Sequence, residues 1–396
     1  ALLLGEGAPG AAVLYAILNA RPLHGGDDID PNTLGVDALD DFTLQITLEQ
    51  PSEQFLHVLT QSVAMPTSRV FFDATRGRYG RTMQHLLGNG PFYLNRWDDN
   101  FLRLRQNAGY AGYEPVAPAT VNLFVQPNPA ARLSTLGADG GYDIVVVPAA
   151  YEEHIPAGAQ VTRLYNAATV MLLRHSSANL RRALCAALDM DELGYADPPG
   201  LLPAGLHVGG ESLRSLVNSP TPVAHDLARA QRLFNDFGRD RVALTLICAP
   251  EHELLARRAL QQWQQAFGIA VSVTIEVIEE PEEFTQQLQR GDFDIAVTAL
   301  TAHSSFALQA MEDWLQPGSL IGYESARLAE LMQTARTEQN PLELAQALRA
   351  VEQHLMQRGV VVPLAPQASL LAVAEGVEGF AASPVGDRVF FGGLRK

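Results

Sequence analysis

The chain has 396 residues, 47% of them hydrophobic and 18% charged, with a net charge of −16. That composition supports a globular core spread over two or three domains. It excludes a membrane span, because no run nears the roughly 18 apolar residues required, and it argues against a nucleic-acid binder, because no Lys/Arg cluster is present.

The opening residues Ala1-Leu-Leu-Leu-Gly-Glu-Gly7 carry neither a basic n-region nor a cleavage site, so no signal peptide is read in them. Asp40-Asp41 is a turn signal before an alternating strand over 42–49. Further strands are predicted over 102–106 and 120–126, a short helix over 129–136 stopped by Gly137, and a fully apolar strand over 144–147. Cys185 falls in a helical run, Arg181–Leu188, and Cys248 closes an apolar strand over 242–248. Two cysteines make neither a metal site nor a disulfide framework; they read as small buried hydrophobes, with one optional disulfide as the alternative.

The clearest architecture runs from 242 to 299. After the strand comes an amphipathic helix over 252–267, with Ala256, Leu260, Trp263 and Phe267 at helical spacing and Gly268 as its stop. A strand over 269–277 alternates strictly. Pro281 opens a second helix, which ends at Gly291, and 293–299 is a buried strand. This is a βαβαβ pattern, the mark of an α/β sheet. Helices over 325–336 and 341–358 follow, then strands over 360–363 and 370–374.

Four segments, in order, carry a family resemblance. They are Leu34–Leu48; Gly88-Asn-Gly-Pro-Phe-Tyr-Leu-Asn-Arg-Trp97 with Asn107-Ala-Gly-Tyr-Ala-Gly-Tyr113; Gly291-Asp-Phe-Asp-Ile295; and Gly379–Asp387. Together they resemble the oligopeptide- and dipeptide-binding (family 5) extracytoplasmic solute-binding proteins of ABC transporters. In the second segment Gly88, Asn89 and Gly90 are expected to permit positive φ in a tight turn, and Trp97 and Tyr113 to supply buried area. The resemblance implies an α/β, periplasmic-binding-protein-like type II fold of two lobes joined by a hinge. Residues 1–171 would be the remainder of the first lobe, with part of a small extra domain at 1–75. Residues 172–368 would form the second α/β lobe, and 369–396 return to the first. On the order of a hundred family residues would precede residue 1.

The implied function is an extracytoplasmic receptor, periplasmic or a cell-surface lipoprotein. It would be a monomer that traps a peptide or similar elongated small molecule by lobe closure and presents it to ABC permease subunits. No cofactor, metal, nucleic acid or catalysis is expected. The alternatives are the ligand-sensing module of a transcription regulator and a truncated, non-binding homologue.

In the resembled family a Gly-Trp-x-x-Asp stretch supplies the carboxylate that holds the ligand's ammonium. Here that stretch reads Thr298-Ala-Leu-Thr-Ala-His-Ser-Ser305, so Leu300 replaces the Trp and His303 the Asp, with Thr301 between them. His303 is either a ligand contact or an ordinary loop histidine. Tyr165, Asn166, Thr169 and Met171 align with the crossover into the second lobe, where the resembled family lines its cleft; Met171, with Val170, also reads as strand core, and Asn166 and Thr169 as plain hinge residues. His252 and Glu253 follow a C-terminal strand end, where open α/β sheets collect ligands. Neither a phosphate loop nor a Gly-x-Ser-x-Gly elbow occurs. Glu152-Glu153 and the Glu279–Glu283 run read as solvated helix starts.

Overall fold

The computed structural model describes residues 11–52, 55–60, 62–112, 116–195, 200–302, 304–316, 318–382 and 389–396. The chain forms two compact units, one of residues 1–63 and 165–367, the other of 64–164 and 368–396. The chain crosses between these units at 164/165 and 367/368, against boundaries expected at 171/172 and 368/369. Residues 1–63, however, group with 165–367 and not with the rest of 1–171.

The elements that matter for function are strands β1 (Ile144–Pro148), β2 (Gln160–Leu173), β3 (Val242–Cys248), β4 (Val271–Val277), β5 (Ile295–Thr301) and β6 (Val361–Val373). The helices are α1 (Ala178–Ala186), α2 (Leu227–Phe237), α3 (Glu253–Phe267), α4 (Pro281–Arg290), α5 (Ala307–Leu315), α6 (Ala326–Thr337) and α7 (Pro341–Gln357).

In the first unit the strand order is β4-β3-β5-β2-β6. Strand β3 runs parallel to both β4 and β5, and β5 runs antiparallel to β2. The glycine stops act as the sequence indicates: Gly268 has φ 58° after α3, and Gly291 has φ 75° after α4. Ile269 departs from its prediction. It lies in a 3₁₀ turn over Gly268–Ala270 and is 81% exposed. The ladder explains this: Val242 pairs with Val271, so no β3 residue faces Ile269. The two strands expected over 360–363 and 370–374 are one long strand, β6.

The main core lies on one face of this sheet. Met171, Leu173, Ile295 and Val297 pack with Leu180 and Leu184 of α1, Phe234 of α2, and Ala256 and Trp263 of α3. Trp263 is fully buried, and its indole N–H donates to the Leu184 carbonyl at 3.0 Å. Ile247, Ala296 and Phe293 form a second cluster with Ile278 and Leu288. Both cysteines are free and buried in the main cluster; burial pushes the Cys185 thiol up to about 12 and Cys248 up to about 11.

Ahead of α7, the loop after residue 200 is tied down by Glu352. Its carboxylate has no exposed surface and accepts from the backbone N–H groups of Leu201 (2.8 Å) and Leu202 (2.7 Å). It also takes a bidentate guanidinium from Arg214, at 3.1 and 2.7 Å. Residues 11–63 carry a small core of their own, around Ala11, Ile17, Ala20, Phe55 and Val58, and the 11–14 turn packs on α5.

In the second unit Phe92–Asp98, Phe101–Gln106 and Thr120–Phe124 form an antiparallel meander. Strand β1 pairs with residues 369–373 of β6 over a core of Leu133, Val145, Val147, Leu370 and Ala372. Two expectations from the second family segment fail here. Neither Gly88 nor Gly90 has positive φ, and Trp97 is 46% exposed, its strand being part of an open three-stranded sheet. Tyr113 and residues 383–387 of the fourth segment lie outside the described residues.

Candidate ligand-binding site

The residues singled out on β2 and β5 are brought together by the antiparallel ladder. Thr301 pairs with Ala167, Leu300 with Ala168 and Ala299 with Thr169, and the Ala302 N–H donates to the Asn166 carbonyl at 2.8 Å. Side chains alternate across a strand, so the set divides between two faces. Tyr165, Thr169, Met171 and Thr301 share one face, and Asn166 and Leu300 the other. Met171 and Leu300 are 0% and 1% exposed. Both are core residues; Met171, for which strand core was one of the two readings, is on the helix-covered face and packs with α1 and α3. Asn166 and Thr169 are buried, whereas Tyr165 and Thr301 keep accessible side chains.

His252 and Glu253 follow β3 on the same edge of the sheet. Cys248 pairs with Val297, so β5 continues four residues further, about 13 Å at 3.3 Å per residue, before it reaches Thr301. The two predicted groups are therefore one strand and several residues apart. His252 closes a 3₁₀ turn before α3, and burial lowers its pKa against the opposing charge of Glu251. Glu253 accepts from Arg257 at 2.8 and 2.6 Å, an i,i+4 pair on the α3 surface. His303 lies outside the described residues.

What the sequence did not reveal is the cavity beside α5. This helix starts directly after Phe306 and is held to β5 by the Trp314 indole, which donates to the Thr301 carbonyl at 3.1 Å. Residues of α5 and α6, with Tyr15 and Arg21, line a cavity of about 520 Å³. A second cavity of about 280 Å³ shares Tyr15, Arg21, Glu312 and Arg336 with it. A third, of about 260 Å³, shares Arg336 and Leu308 with the second and reaches Gly209 and Gly210.

The charges at this junction are organised. Arg336 on α6 donates to Glu312 on α5 at 2.7 Å, with both side chains partly exposed. Arg21 lies over the Tyr15 ring, 4.8 Å from its centroid, and the Tyr15 hydroxyl meets His24 Nδ1 at 2.7 Å. Desolvation lowers the Arg21 pKa, and the neighbouring Arg336 charge adds to that; Glu312 opposes both. Glu324 also lines the cavity, with Tyr323 beside it in the chain. Burial works to raise the Tyr323 phenol, but hydrogen bonds with Ser325 and Arg358 and the charges of Arg358 and Arg181 outweigh it, so its pKa falls below the usual tyrosine value. The cavity thus carries two guanidinium groups and two carboxylates. No periodicity marks these residues: Tyr15 and Arg21 belong to a short N-terminal segment, and Glu312 and Arg336 to separate helices.

Among the described residues no group of three His, Cys, Asp or Glu side chains is placed to hold a metal ion, and no helix is long and apolar enough to cross a membrane.

The chain is a two-unit α/β protein with a cavity of mixed charge in its first unit, and the class this belongs to is that of the solute-binding proteins. Comparison with known proteins specifies it. The family described as bacterial extracellular solute-binding proteins, family 5 (middle region), matches residues 6–320. The glutathione-binding protein GsiB of Escherichia coli strain K12 is 22% identical over 382 aligned residues, covering 88% of this chain and 72% of GsiB. Three solved structures share the fold. Haemophilus influenzae OppA in complex with the peptide RPPGFSPFR has a TM-score of 0.78 at 19% identity, covering 98% of this chain and 80% of that one. Listeria monocytogenes OppA bound to peptide has a TM-score of 0.76 at 17% identity, with coverage of 98% and 80%. The substrate-binding domain of the oligopeptide ABC transporter from Bacillus anthracis has a TM-score of 0.76 at 18% identity, with coverage of 97% and 79%. The chain belongs to the family 5 bacterial extracellular solute-binding proteins and has their two-lobe type II fold.

Proposed function

We propose that this protein is the substrate-binding receptor of an ABC importer. Its ligand is a short peptide, or a similar elongated molecule bearing both an ammonium and a carboxylate, held at the cavity beside α5. The observation that carries this reading is the balance of charge there: Arg21 and Arg336 stand with Glu312 and Glu324 around about 520 Å³, a volume in the range of small-molecule sites. A zwitterion satisfies both signs at once, and each charge-assisted contact is among the stronger hydrogen bonds. The names of the relatives, a glutathione-binding protein and peptide-bound receptors, agree with that ligand class. Tyr165 and Thr301, at the β2–β5 edge below α5, are the remaining positions proposed to face ligand, with His252 and Glu253 as outer contacts. The receptor acts outside the cytoplasm as a monomer. It delivers its ligand unaltered to permease subunits, and transport energy comes from the transporter's ATPase.

The test is calorimetry with a tripeptide bearing free termini, beside its N-acetylated and C-amidated forms. The free tripeptide is expected to bind saturably, and each blocked form about tenfold or more weakly, in line with loss of a charged hydrogen bond. Arg21→Ala and Glu312→Gln are expected to weaken binding of the free form while leaving the melting temperature nearly unchanged. Equal affinity for all three forms, or recovery of cleaved peptide from the mixture, contradicts the proposal.

A further inference from the structure

A groove of about 640 Å³ on the first unit shares no lining residue with the cavities beside α5. Four arginines face it: Arg182 from α1, Arg229 from α2, Arg349 from α7, and Arg358 just after α7. The rest of its lining is neutral, and no acidic side chain contributes. In a chain with 44 acidic and 28 basic residues, that grouping runs against the composition. Among the described residues none of the four forms an ion pair. The acids closest in sequence are engaged: Asp226 accepts the backbone N–H of Arg229, and Asp189 meets His225 at 3.3 Å.

The groove is also braced. Gln353 is bonded both ways to the Thr221 backbone, accepting its N–H at 2.8 Å and donating to its carbonyl at 2.9 Å. Arg349 uses Nε on the Asn218 carbonyl at 3.0 Å. That leaves its two terminal nitrogens as a fork. Arg182, Arg229 and Arg349 are half-buried, and Arg358 is exposed. Four uncompensated guanidinium groups around one concavity repel one another unless an anion joins them, and guanidinium forks match oxyanions in geometry as well as charge.

We propose that this groove binds a soluble multivalent oxyanion of the phosphate class. A single carboxylate offers two oxygens and one charge, whereas a di- or triphosphate offers enough oxygens and charge to engage several forks together. A lipid headgroup has the same chemistry, but a chain of net charge −16 is repelled by an anionic bilayer, which favours the soluble source.

The experiment is titration of inorganic pyrophosphate into the full chain at low ionic strength, with orthophosphate alongside. Saturable binding of one pyrophosphate per chain is expected, tighter than orthophosphate and weakening steeply as sodium chloride is added. The double variant R182Q/R349Q is expected to bind at least tenfold more weakly, and Arg358→Gln, on the rim, severalfold more weakly. Arg69→Gln, in the second unit, is expected to bind as the parent does. Tripeptide affinity should be the same in R182Q/R349Q and Arg69→Gln, neither of which touches the cavity beside α5, which keeps failure here separate from failure of the peptide-receptor reading; Arg358→Gln is left out of that control because Arg358 bonds Tyr323. If R182Q/R349Q does not fold, Arg358→Gln alone decides. The proposal is overturned by absence of saturable binding, or by equal weakening in Arg69→Gln. Capture of phosphatidylglycerol vesicles through these arginines without pyrophosphate binding also overturns it.

Discussion

Two glutamate–arginine pairs in the first unit show the same chemistry serving different ends. Glu352–Arg214 and Glu312–Arg336 both close at 2.7 Å. Glu352 is wholly buried, and its carboxylate is filled by two backbone N–H groups and a bidentate guanidinium. Nothing is left over for a ligand. Glu312 and Arg336 are partly exposed, bonded through one nitrogen, and face a cavity beside a second guanidinium. The first pair fixes a loop to α7. The second is open to rearrangement around a guest. The lesson is that ion-pair distance alone does not distinguish scaffold from site; saturation of the remaining lone pairs and protons does.

The largest effect that tests this contrast is Glu352→Ala. Removing one partner leaves the Arg214 charge and two N–H groups without acceptors, so a loss of about 3–5 kcal/mol is expected in urea unfolding. A loss below about 1 kcal/mol would mean that water reaches the pair, and the contrast would fail. Next comes Trp314→Phe, which keeps most of the buried volume but orphans the Thr301 carbonyl. About 1–3 kcal/mol is expected, together with weaker tripeptide binding, because α5 loses its tie to β5. Unchanged binding would show that α5 needs no such anchor. Arg336→Ala should cost only about 1 kcal/mol or less of stability, as partly exposed pairs do, while weakening tripeptide binding. The opposite pattern would assign the Glu312 pair to the scaffold.

A smaller effect concerns pH. Burial, with the charges of Arg358 and Arg327 adding to it, lowers the His354 pKa below 6.5. Burial likewise lowers His175, with Arg181 and Arg239 adding and Asp294 opposing. A histidine depressed in the folded state favours its neutral form there, so the unfolded chain binds more protons below pH 6.5. Stability from these groups is full above pH 6.5 and is lost as pH falls toward the folded values. The melting temperature should therefore decline on acidification from 6.5, and less so in His354→Gln. An identical decline in that variant would remove His354 from the account. The smallest expected effect is chemical: Cys185 and Cys248 should resist a thiol reagent in the native chain and both react on unfolding, since their buried thiols stay protonated.

How much was legible beforehand varied with the range of the interactions. The β3–α3–β4–α4–β5 succession could be read from alternation, helical spacing, Gly268, Gly291 and Pro281, because each signal acts within a few residues of itself. The start of β4 could not: Ile269 continues the alternation, and only pairing with Val242 shows that the strand begins at Val271. Along β2 and β5 the sequence named residues that the ladder brings side by side, positions flanking Ala167 on β2 and Thr301 of β5 among them. It could not tell that Leu300 is buried, because alternation divides residues into two faces without saying what covers each face.

The sequence by itself therefore determined the α/β class, the order of the central elements and the family, all of which rest on local pattern. Tertiary structure alone decided which charges meet. Tyr15 and Arg21 reach Glu312 and Arg336, and Arg182 reaches Arg349, only because packing of apolar faces brings distant segments into one place. That packing is driven by burial of area, which is non-directional. The chain thus carries no local mark of the polar groups left facing one another once the core has closed.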